Sequence, residues 1–143
     1  IQLSTLVINT QATYTLIITR NYDGNLSPTP WDTQLVPAFS TFDVHFPAEY
    51  LSLTDGITSP SCSAIIINDS PVTGPFGVSY SGSAGSLVLK ISGAITTDTA
   101  MYSATLQIDG ILNPSPALST GTFVIKIGND YSANLTGLAN IAL

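Results

Sequence analysis

The apolar residues of this chain recur at every second position, and that period decides what the chain can fold into. Ala12, Tyr14, Leu16 and Ile18 alternate with Thr13, Thr15, Ile17 and Thr19. The same spacing runs through Phe42, Val44 and Phe46, through Leu87, Leu89 and Ile91, and through Phe123, Ile125 and Ile127. Tyr102, Ala104, Leu106 and Ile108 repeat it once more. Successive side chains of an extended strand point to opposite faces, so each segment predicts a strand with one buried face. A helix needs a period near 3.6, and no window supplies a stable one. Thr, Val and Ile dominate these segments, as suits a pleated surface. Cys62 to Ile67 is a shorter apolar run that fits a central strand, and Leu3 to Ile8 is a further candidate.

Breakers separate the segments. Asn21 to Pro37 holds Asp23-Gly24-Asn25 and three prolines, and Asp69 to Gly77 holds Pro71, Gly74 and Pro75. Ser81 to Ser86 reads as a hairpin turn, and Asn113-Pro114-Ser115-Pro116 breaks the chain before the last strong strand. About eight strands at this spacing predict an all-β fold, an antiparallel β-sandwich of immunoglobulin-like pattern. A chain of 143 residues without an internal repeat fits one domain, 1–143. Residues 1–20 are almost continuously extended. They suit two ordinary first strands or a segment donated to a neighbouring sheet, with Leu6, Ile8, Tyr14, Leu16 and Ile18 as interface residues. Leu135 to Leu143 suits a last strand, a docked tail or an interface.

Charge narrows the function. Three basic residues face nine acidic ones, giving a net charge of −6. No basic patch able to neutralise a nucleic-acid backbone can be built from three cations. No apolar run approaches the roughly 18 residues of a membrane span. Ser and Thr number 17 and 18, so the surface is polar but poorly charged. Candidate catalytic groups are scarce. His45 is the only histidine and is out of phase with Phe42, Val44 and Phe46, and Glu49 is the only glutamate. A zinc site needs three or four ligands of kinds this chain hardly has. The Asp and Asn clusters, among them Asn68-Asp69, are ordinary turn residues before they are calcium ligands. Lys90 and Lys126 are out of phase with their strands' apolar faces, which disfavours an internal Lys–Asn cross-link. We expect no catalytic residue, no metal and no cofactor.

Cys62 is the only cysteine, so it cannot pair within the chain; it is a small buried hydrophobe or an intermolecular bridge. Asn25, Asn68 and Asn134 each open an Asn-x-Ser/Thr acceptor tripeptide, which favours an extracellular glycoprotein. The chain opens on Ile1 rather than Met, as a processed or partial product would. Trp31, Tyr22 and Tyr50 are candidate stacking faces for a sugar, with Asp23 and Asn25 as polar partners.

Asp98-Thr99-Ala100-Met101-Tyr102-Ser103-Ala104 resembles the immunoglobulin variable-domain run Asp-x-Ala-x-Tyr-x-Cys, with Ala104 in place of the cysteine. A wider resemblance rests on Phe42-Asp43-Val44-His45-Phe46-Pro47, Cys62-Ser63, Ile108 to Pro114 and Thr120 to Ile125. It is similar to β-rich modules in large secreted and surface proteins of ciliates and related protists. Those modules often carry two cysteines where this chain has one. The resemblance implies a non-enzymatic extracellular module of a coat, hair or filament. The expected function is therefore a structural subunit of a filament or surface layer that associates with copies of itself. The alternative is a carbohydrate-binding or adhesive module.

Overall fold

The structure, a computed structural model of the chain, describes residues 1–5, 7, 9–19, 35–54, 56, 59–115, 120–128 and 131–135. It is an all-β sandwich. The strands are β1 (Gln2–Leu3), β2 (Gln11–Thr19), β3 (Phe42–His45), β4 (Ser61–Ile67) and β5 (Ser70–Pro71), then β6 (Gly77–Ser83), β7 (Ser86–Ser92), β8 (Ser103–Leu112), β9 (Phe123–Ile127) and β10 (Tyr131–Leu135). Eight of them have four or more residues, and β1 and β5 are two-residue edge pieces. One sheet has the order β1-β2-β8-β4-β5 and the other β10-β9-β3-β7-β6, with every pairing antiparallel. The central strand neighbours, β1-β2-β8-β4 opposite β10-β9-β3, follow the A-B-E-D and G-F-C orders of an immunoglobulin-type sandwich. The β6–β7 hairpin extends the second sheet beyond β3, but it follows β4 in the chain instead of following β3 directly.

The alternation seen in the sequence becomes the core. Ala12, Tyr14 and Leu16 of β2 face Phe42 and Val44 of β3, Leu87, Leu89 and Ile91 of β7, and Phe123, Ile125 and Ile127 of β9 across the sandwich. Ala104, Leu106 and Ile108 of β8 join them, and then the phase slips. Ile111 is buried as well, three positions on from Ile108. Gly110, at φ 76°, makes the slip possible: two β8 residues, Asp109 and Gly110, stand opposite the single β2 residue Thr13, as in a β-bulge. Asn68 and Asp69, at φ 51° and 63°, form the tight hairpin turn between β4 and β5. They are turn residues, as their type suggests.

One end of the sandwich closes on aromatic rings. Tyr14, Phe46, Tyr50 and Phe123 meet edge to face or tilted, with centroids 5.1–6.5 Å apart. The Tyr14 hydroxyl donates to Asn113 Oδ1 at 2.7 Å. Having used its one proton, it accepts from the Tyr50 hydroxyl, also at 2.7 Å. Asn113 Nδ2 in turn donates to the carbonyls of Thr5 and Val7, and its backbone pairs with Asn9 and Thr10. The N-terminal segment is strapped to its own sandwich this way.

This placement corrects two expectations. β2 lies inside the chain's own first sheet, between β1 and β8. Tyr14 and Leu16 are fully buried in its core and Ile18 packs against that core, so these three serve the chain itself and are not surface residues for a neighbour. Leu6 and Ile8 lie outside the described residues. Tyr50 is fully buried and offers no stacking face. The third strand from the N-terminus ends at His45, but the turn after it folds back inward, which a strand period does not foresee.

Burial holds the Tyr14 and Tyr50 phenols far above the usual tyrosine range. A free phenol ionises near pH 10. Above that pH the unfolded chain releases protons that the folded chain keeps, so stability is full below about pH 10 and falls as pH rises. The fall approaches about 1.4 kcal/mol per pH unit for each phenol. Tyr50→Phe tests this by tyrosinate absorbance. The variant should lose one sixth of the signal of the unfolded chain, which has six tyrosines, and none of the signal of the folded protein at pH 11.

Candidate functional site

The opposite end of the sandwich is built differently. There, Val36 bridges to Thr99 through two backbone hydrogen bonds of 2.8 and 2.9 Å. Asp98 Oδ1 accepts from the Ala38 N–H at 2.8 Å, and the Phe39 N–H donates to the Ile95 carbonyl at 2.7 Å. Ser40 N–H closes a β-turn on the Pro37 carbonyl. Phe39 takes the third position of that turn at φ 63°. Type II turns put glycine or asparagine there, because a Cβ at positive φ is strained. Yet the Phe39 ring is 83% exposed, the most exposed of the large apolar side chains described. Four backbone contacts thus hold a bulky ring in solvent in a conformation it disfavours. Such outliers persist only where the surroundings over-determine them, and they cluster at functional sites.

Beside the ring lies an open cleft of about 340 Å³, lined by Pro37–Thr41, Asp43, Lys90 and Gly128. Its floor comes from strand register. Asp43 on β3 sits between Lys90 on β7 and Lys126 on β9, with Ser79 of β6 beyond Lys90. Asp43 accepts from Thr41 Oγ1 at 2.8 Å and pairs with Lys90 Nζ at 3.5 Å. The next row holds His45 between Val88 and Val124. Burial at the sheet surface pushes the His45 imidazole below its usual range; the Lys126 ammonium adds to this and Asp43 opposes it. Gly128 is needed at the cleft wall: it has φ 60°, and an added Cβ would come within 3.0 Å of Ser40 Oγ.

The residues proposed from sequence do not assemble here. Tyr22, Trp31 and Asn25 lie outside the described residues. Asn134 is on β10, opposite Val124. Asn68 is engaged in structure: its Nδ2 donates to the Ala100 carbonyl, and its Oδ1 accepts from the N–H groups of Tyr102 and Ser103. Tyr102 is 52% exposed, with its backbone held by Asn68, so it does not reproduce the buried tyrosine of the immunoglobulin run. Cys62 is half-buried, its Sγ 3.6 Å from the Ala64 carbonyl, and burial pushes the thiol up to about 11. It is a thiol and not a thiolate nucleophile at neutral pH. Lys90 is exposed on the outer face, unlike the buried lysine that a cross-link requires. No group of three or more His, Cys, Asp or Glu side chains is placed to hold a metal among the described residues. Phe39 was missed because nothing in the sequence announces a positive φ at a phenylalanine.

No family model, curated protein or solved structure matches the chain. The β-sandwich itself rests on the strand pairing alone.

The strain at Phe39 carries a direct expectation. Phe39→Gly removes a penalty of about 1–2 kcal/mol for an L-residue at positive φ, against about 0.5–1 kcal/mol for glycine's extra freedom when unfolded. Little packing is lost with a ring this exposed. The variant should therefore be more stable by about 0.5–1 kcal/mol in a urea titration.

Proposed function

We propose that this chain is a non-catalytic recognition module of an extracellular or cell-surface protein, and that it binds a saccharide in the Phe39 cleft. The observation that carries this reading is the pinned, exposed, strained Phe39 ring beside a polar cleft. A sugar offers the complementary surface: a C–H face to lie on the ring and hydroxyls for the Ser40 and Thr41 side chains and the Asp43 carboxylate. The hydroxyl-rich, charge-poor composition and the acceptor tripeptides at Asn25 and Asn134 support an extracellular location. The short motifs shared with protist surface modules point the same way.

A second reading, a structural subunit of a filament or surface layer, is favoured by one feature of the first sheet. Ile17, Thr105, Ile66 and Pro71 stand in a single cross-strand row on its outer face. Ile17 and Ile66 are 40% and 37% exposed, and this row carries no charge that would oppose contact between copies. Strand donation through β2 is no longer part of that reading.

The test is a glycan array on the wild type and on Phe39→Gly, with light scattering on both. Binding that Phe39→Gly abolishes, from a monomeric protein, is the expected result. A blank array from a protein that polymerises would replace the first reading with the second.

A further inference from the structure

The charges beside the cleft specify its ligand more closely. This step rests on the saccharide reading above. The chain carries −6 overall, yet both lysines of the described residues stand on one face, in one row, flanking one acid. Lys90 is already paired with Asp43 at 3.5 Å. Lys126 stands in register with Asp43 on the other side, so among the described residues the row Lys90–Asp43–Lys126 sets two cations against one acid. Among the described residues, Asp98 has an oxygen on the Ala38 N–H and does not line the cleft. Glu49, Asp69 and Asp109 belong to other parts of the sandwich: the turn after Phe46, the β4–β5 turn, and the outer face of the first sheet, where Asp109 accepts from Thr13. An acidic protein has thus kept its described cations together beside its most exposed aromatic ring.

We propose that the ligand is an anionic saccharide, one that bears a carboxylate or a sulfate. Its ring lies on Phe39, and its anionic group sits over Lys90 and Lys126. A charge-assisted contact of this kind is stronger than the neutral hydrogen bonds that the same cleft offers. It also gives an acidic polymer a pair of cations to approach on a protein whose net charge is −6.

Isothermal titration with matched pairs tests this: a galacturonate trisaccharide against its methyl ester, and a sulfated galactose oligosaccharide against its desulfated form. The two pairs separate carboxylate from sulfate. The charged member of one pair should bind more tightly, and raising salt from about 50 to about 500 mM should weaken it. Lys90→Gln and Lys126→Gln should each weaken it about three- to fivefold, as suits exposed charges. Asp43→Asn should tighten it, because it releases the Lys90 ammonium and removes the negative charge between the two lysines; a merely structural Asp43 would not do so. All three positions are at the sheet surface, and thermal unfolding of each variant checks that the fold is kept. If the neutral members bind as well as the charged ones and Phe39→Gly abolishes that binding, the anionic ligand is wrong and the saccharide site stands. If neither pair binds, both are wrong.

Discussion

A buried chain of hydrogen bonds from Tyr50 through Tyr14 to Asn113 ties the two sheets together at one end of the sandwich. Tyr14 belongs to the first sheet, Tyr50 to the turn that leaves β3 of the second, and Asn113 to the exit from β8. In a low-dielectric core each of these bonds is strong, and a missing partner is costly. The same three residues therefore have to be placed together or not at all. The two tyrosine rings pack with Phe46 and Phe123, so apolar surface surrounds the polar chain. Asn113 then extends the chain to the carbonyls of Thr5 and Val7, so the N-terminal segment is fixed by the same unit.

At that end the Tyr14, Tyr50 and Asn113 side chains satisfy one another, while Glu49 Oε2 beside them is buried without a hydrogen-bond partner; the other end follows a different logic. Around Phe39 the backbone is well bonded, but the side chain is exposed and its dihedral is unfavourable. Strain of this size is tolerable because the core and the tyrosine end supply the stability elsewhere. The outer face of the second sheet adds what the strained ring lacks, a row of charge set by register alone. The buried polar network lies at one end of the sandwich and the proposed saccharide site at the other.

Much of this fold is legible in the sequence, and the reasons for the exceptions are physical. Strands with one buried face announce themselves by alternation, and β2, β3, β7, β8 and β9 all do so. β6 does not: Gly77–Ser83 is exposed along most of its length and is held by pairing with β7, so no apolar phase marks it. Its hairpin with β7 was still readable from the Ser-Gly-Ser-Ala-Gly-Ser turn. The Ile108–Ile111 slip depends on a single glycine whose positive φ cannot be told from that of any turn glycine. Tyr50 could not be placed, because it follows the strand and its burial depends on a chain reversal. The cleft was the least legible part. It needs Asp43, Lys90 and Lys126 side by side, and strands far apart in sequence set that register.

The central claim is that ligand binding belongs to the Phe39 end and not to the tyrosine end. Backbone amide chemical shifts, followed as the tightest-binding saccharide is titrated in, test it most directly. The predicted result is a set of shifts confined to Ala38–Asp43, Lys90, Lys126 and Gly128, with Tyr14, Tyr50 and Asn113 unmoved. Shifts centred on Tyr14, Tyr50 and Asn113, with Phe39 unmoved, would contradict it.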